Sequence, residues 1–139
     1  MNIFNIYASK IIDLIKKNKK ILKINEFNNF KGITVENPPE KFDFDLSCNI
    51  CLILAKINNL NPKELATNFK KIILKEIKDI ENIEVAGPGF LNIKLSKKAI
   101  QYLITEIFNQ KKNYGANFNE KKYNIEFVSA NPTGPMHVG

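Results

Sequence analysis

Apolar residues recur at helical spacing from the first turn of the chain. Ile3, Tyr7, Ile11, Leu14 and Ile15 fall on one side, with Phe4, Ala8 and Ile12 beside them. That spacing predicts an amphipathic helix from Ile3 to about Lys19. The β-branched run Ile33-Thr34-Val35-Glu36 ends at Asn37-Pro38-Pro39, where proline removes ladder donors, so a short strand is expected there. From Phe42 to Leu46 aromatics and aspartates alternate, which suits an extended piece feeding a helix that begins near Ser47. Ile50, Leu52, Ile53, Leu54, Ala55 and Ile57 cover most of that helix, so it should be the most buried one.

Asn61-Pro62 has the form of a helix cap followed by proline in the first turn, with Glu64 as an early acidic residue. The third helix is expected from Pro62 to about Ile80, with Leu65, Phe69, Ile72, Ile73, Ile77 and Ile80 inward. Ile83 to Ala86 and Phe90 to Leu95 are period-two runs joined by Gly87-Pro88-Gly89, a β-hairpin pattern. Ser96 can cap a fourth helix reaching about Lys111, with Ile100, Leu103, Ile104, Ile107 and Phe108 facing inward. A polar connector comes next. Lys122 to Val128 then has the pattern of a buried strand, and Ser129 to Met136 is a Pro/Gly loop leading into His137-Val138-Gly139. Strand, loop and incipient helix form the opening unit of a doubly wound sheet. One such unit cannot bury both of its faces. The chain is therefore expected to divide into an α+β domain over residues 1–118 and the truncated start of a second, Rossmann-type domain over 119–139.

Composition changes this picture little. At 139 residues and 44% hydrophobic, the chain can build one real core. It has no apolar run near the roughly 20 residues a membrane span needs, and no secretory signal. A soluble, cytoplasmic protein without a membrane partner is expected. Cys48 and Cys51 have neither a second Cys pair nor a His nearby, so they are expected as core residues and no metal site is expected. The net charge of +7 suits a polyanion. All 21 basic residues are lysine, however, and Ile and Asn are used as heavily, the mark of an A/T-rich coding sequence. Charge alone does not establish a nucleic-acid partner.

Two blocks carry more information. The run Ile125-Glu126-Phe127-Val128-Ser129-Ala130-Asn131-Pro132-Thr133-Gly134-Pro135-Met136-His137-Val138-Gly139 resembles the stretch leading into the class I signature motif of bacterial-type arginyl-tRNA synthetases. Upstream, Val85-Ala86-Gly87-Pro88-Gly89-Phe90-Leu91-Asn92-Ile93 is similar to the hairpin of that family's N-terminal domain. A weaker third block is Val35-Glu36 with Asp45-Leu46-Ser47-Cys48-Asn49, where the family usually has Gly-Asp and this chain has Phe44-Asp45. The resemblance implies a two-layer N-terminal domain, helices on an antiparallel sheet, that binds the D-loop corner of tRNA. It also implies an aminoacyl-tRNA ligase that activates L-arginine with ATP and Mg2+ and passes it to tRNA-Arg, and a monomer. Most of the catalytic domain would lie beyond Gly139, so the isolated chain is expected to be inactive. A free-standing RNA-binding module with a remnant motif is the competing reading. It is disfavoured because a strand's apolar face would be left uncovered.

The resemblance assigns roles by position. His137 would donate hydrogen bonds to phosphate oxygens as charge develops on them, and Gly139 would admit close approach of the nucleotide. Pro132, Thr133, Gly134, Pro135, Met136, His137, Val138 and Gly139 would line the ATP site. Glu126, Ser129, Asn131 and His137 would hold arginine, with Ser129 and Asn131 supplying neutral donors and acceptors. Candidates for tRNA contact are Lys41, Phe42, Asn49, Asn82 and Lys94.

Overall fold

Asn2 starts the first helix: its side-chain oxygen accepts from the Phe4 amide at 2.9 Å, satisfying one of the donors that a helix start leaves open. In the computed structural model, which describes residues 2–27, 32–40 and 43–116, helix α1 runs Ile3–Asn18 and buries Tyr7, Ile11, Leu14 and Ile15. Strands β1 (Val35–Glu36) and β2 (Leu46–Cys48) come next, then helices α2 (Ile50–Asn58) and α3 (Pro62–Glu76). Strands β3 (Ile80–Ala86) and β4 (Phe90–Leu95) precede helix α4 (Lys97–Gln110) and a 3-10 turn, Lys111–Asn113. Asn61 caps α3 through Lys63 N at 3.0 Å and Glu64 N at 3.1 Å. Ser96 caps α4 through the Ala99 amide.

The four strands form one antiparallel sheet in the order β1-β2-β4-β3. Alternation along each strand sends Leu46, Cys48, Ile83, Leu91, Ile93 and Leu95 to one side. There they share a single core with Tyr7, Ile11, Ile50, Leu54, Phe69 and Ile73 from the first three helices. The domain is thus α+β, helices on an antiparallel sheet, as expected.

Three elements differ from the sequence reading. Leu46–Cys48 is a strand, whereas extended chain feeding directly into a helix was expected: β2 sits between β1 and β4, with Ser47 opposite Asn92. A run this short carries no period of its own, so only its partners reveal it. Helix α3 stops at Glu76 rather than near Ile80, with Ile77 extended at φ −104 and ψ 95. Ile80 is buried in β3 instead, opposite Leu95. A register shift between Ile80 and Asn82 puts Ile80 and Ile83 both in the core, a spacing that imitates a helix. The third difference is on α4. Only Ala99 is buried, while Ile104 and Phe108 are 59% and 76% exposed and Ile100 and Ile107 are exposed as well. The expected strand and loop over 119–139 lie outside the described residues.

Candidate nucleic-acid interface

The side of the sheet away from the helices is polar. Register pairs Glu36 with Ser47, Ser47 with Asn92, Glu84 with Asn92, and Asn82 with Lys94. Its centre is closed: Ser47 Oγ donates to Asn92 Oδ1 at 3.0 Å, and both residues are buried. A buried polar pair that satisfies itself in this way fixes strand register rather than offering itself to a ligand. Asn92 is a buried polar residue outside the candidates for tRNA contact. Its signal was an amide between Leu91 and Ile93, in a strand otherwise rich in apolar residues.

Lys94 is the only lysine in the described strands, and its charge is already countered. Its Nζ donates to Asp43 Oδ1 at 2.6 Å and lies 3.9 Å from Asp45 Oδ1. The hydrogen bond to Asp43 raises its pKa; partial desolvation opposes that, and the charges of Asp45, Asp43 and Glu81 add to the rise. Asp45 in turn extends the sheet beyond β2. Its amide donates to Ile93 O at 2.9 Å and its Oδ2 accepts from the Leu95 amide at 2.8 Å. Lys94 therefore ties the chain before β2 onto β4.

Asn49 is also occupied. Its Oδ1 accepts from the Thr34 amide and its Nδ2 donates to Gly32 O, both at 2.8 Å, so both ends of the amide hold the segment before β1 against the start of α2. Asn82 differs. It is exposed at the register shift of β3, and its Oδ1 accepts from the Ile83 amide at 2.8 Å. Among the described residues no hydrogen bond engages its side-chain nitrogen, and Glu84 is exposed along the same strand. Lys41 and Phe42 lie outside the described residues.

Among the described residues, the other groups with a shifted pKa offer no activated nucleophile. Burial pushes the Cys48 thiol up to about 11. It raises Cys51 as well, with the Cys48 charge adding to it. Activation would require the opposite direction. Tyr7 is pushed up to about 12 by burial and then by Asp79, and Asp79 is also paired with Lys10. Tyr7, Lys10 and Asp79 line a cavity of ≈ 280 Å³ between α1 and the start of α4, together with Lys78, Ser96 and Lys98. Lys10 Nζ also stands 5.1 Å from the Tyr7 ring centre, so the cluster staples α1 to the turn before β3. Among the described residues, no group of three or more His, Cys, Asp or Glu could hold a metal ion, and no helix is long and apolar enough to cross a membrane.

The family model of the arginyl tRNA synthetase N terminal domain matches residues 7–95, from α1 to the end of β4. The chain belongs to this family. Along its whole length it is 45% identical over 141 aligned positions to the arginine–tRNA ligase of Pelagibacter ubique (strain HTCC1062). It is 40% identical to that of Bartonella henselae and 38% identical to that of Rickettsia akari, again over the whole chain. The chain spans 24%, 24% and 23% of these relatives, about a quarter of their length. The hairpin that carried the resemblance is β3–β4, and it lies inside the matched region. The residues expected at the ATP and arginine sites, Glu126, Ser129, Asn131 and Pro132 to Gly139, lie outside the described residues.

Proposed function

We propose that the chain is the N-terminal part of an arginine–tRNA ligase, a cytoplasmic monomer that activates L-arginine with ATP and then transfers it to tRNA-Arg. The observation that carries this reading is the family match over residues 7–95 together with whole-chain identity to arginine–tRNA ligases. In the first step the arginine carboxylate attacks the α-phosphate of ATP and pyrophosphate leaves. In the second, the terminal ribose hydroxyl of the tRNA attacks the adenylate carbonyl and AMP leaves. His137 donates to phosphate oxygens as their charge grows, and Gly139 leaves room for the nucleotide beside it. The run 132–139 lines the ATP site, and Glu126, Ser129, Asn131 and His137 hold arginine. Magnesium accompanies the nucleotide and offsets phosphate charge; no described residue is assigned as its ligand.

Residues 1–118 form the tRNA-binding domain and 119–139 open the catalytic domain. Within the first, Asn82 is the best-supported contact, because an exposed amide suits the edge of an unpaired base. Lys94 and Asn49 support the surface by holding neighbouring segments. The test is arginine-dependent pyrophosphate exchange in the full-length protein. His137→Ala should lower the rate by about 10² to 10³, the range seen when one donor to a developing charge is removed. The 139-residue chain alone should show no exchange. A full-length protein that exchanges pyrophosphate with another amino acid, and not with arginine, would refute the proposal.

A further inference from the structure

Helix α4 carries most of its apolar residues on an exposed face, outside the core that the described residues form. Ala99 is buried and Leu103 half-buried against the core, whereas Ile100, Ile104, Ile107 and Phe108 are exposed. The last four lie along one strip at helical spacing. Lys97 and Lys111 stand at the two ends of that strip. Such a row is rare on a surface that meets only water.

We infer that this strip is the seat on which the second domain of the same polypeptide docks, an inference that rests on reading the chain as part of a longer ligase. Position in the chain supports it. The family's domain match ends at residue 95 with β4, so α4 is the element that leads out of that module, and the relatives are about four times as long as this chain. Area supports it too. From ordinary side-chain sizes the exposed strip is on the order of 400 Å², against the roughly 800 Å² per partner typical of a stable complex between separate molecules. A second copy of this chain would therefore be held weakly by the strip alone. A tethered domain needs far less, because covalent connection supplies an effective concentration in the millimolar range for a short flexible link.

The test places the photo-crosslinker p-benzoylphenylalanine at position 108 of the full-length protein and maps the products by mass spectrometry. Crosslinks should fall within the same polypeptide, to residues after Ala116. Crosslinks joining two polypeptides, or none to protein, would overturn the inference. A second variant, Ile104→Asp, alters an exposed side chain and should leave β3–β4 amide exchange unchanged while exchange along α4 rises about tenfold, the effect of about 1.4 kcal/mol lost. Unchanged exchange along α4 would also overturn it. Neither readout uses arginine, ATP or tRNA, so failure of the proposed activity and failure of this docking are distinguishable.

Discussion

Gly89 and Pro62 meet so closely that a Cβ on Gly89 would lie 2.9 Å from the Pro62 carbonyl oxygen and 3.0 Å from its carbonyl carbon. The turn between β3 and β4 is thus pressed against the first residue of α3. Gly89 also has φ +143, a conformation that disfavours a side chain. Both constraints act on one atom that glycine lacks. Gly89→Ala is expected to destabilise the domain by about 1–3 kcal/mol, the usual scale for overpacking and backbone strain. Gly87→Ala should do less, since a Cβ there meets nothing within 4 Å although φ is +52. Urea unfolding of the two variants checks the order.

Alkali should destabilise the domain. The folded state raises Cys48 from 9.0 to about 11 and Tyr7 from 10.0 to about 12. Both are neutral when protonated, and folding favours that form. Their contribution is therefore complete below the unfolded pKa values and is lost as pH rises through the folded ones. The urea midpoint should be level up to about pH 8.5 and fall between about pH 9 and 12. Cys48→Ala should make that fall shallower.

Lys94 should matter little to RNA affinity, because Asp43 and Asp45 already balance it. Lys94→Gln is expected to change tRNA affinity less than about twofold and to leave the salt slope unchanged, whereas losing a true phosphate contact lowers that slope by about one. Filter binding across a salt series checks both.

The Asn58 side chain is a clasp for the chain after α1. Its Oδ1 accepts from the Asn25 and Glu26 amides, both at 2.8 Å, and its Nδ2 donates to Glu26 O and Leu54 O. Asn58→Ala should cost about 1–3 kcal/mol, on the scale of polar groups left unpaired, and should speed exchange at the Asn25 and Glu26 amides. Amide exchange by mass spectrometry measures it.

Local chemistry explains why much of the fold was legible. Asn61-Pro62 and Ser96 mark helix starts by capping, and Gly87-Pro88-Gly89 marks the hairpin, because these residue types suit only a few backbone geometries. β2 was hidden because three residues acquire strand character only from β1 and β4. The end of α3 was hidden because the register shift at Asn82 gives Ile80 and Ile83 a helix-like spacing. The α4 periodicity correctly gave a helix, but periodicity says only that a face is apolar and not which partner covers it. At the candidate interface, residue types suggested Asn49, Asn82 and Lys94 equally. Their separation needed the side-chain bonds that occupy Asn49 and Lys94, which link residues distant in sequence. The signature block stood out for a different reason, its likeness to a known family, and its residues lie outside the described ones.

The tRNA-corner role is tested most directly by binding this chain to tRNA-Arg transcripts with the natural and an altered D-loop, across a salt series, with Asn82→Ala beside the unaltered chain. Altering the D-loop is expected to weaken binding. Asn82→Ala should weaken binding to the natural transcript by about 0.5–1.5 kcal/mol, the scale of one hydrogen bond, and the variant should no longer distinguish the two transcripts. Equal, steeply salt-dependent binding to every RNA, unaffected by Asn82→Ala, would contradict that role.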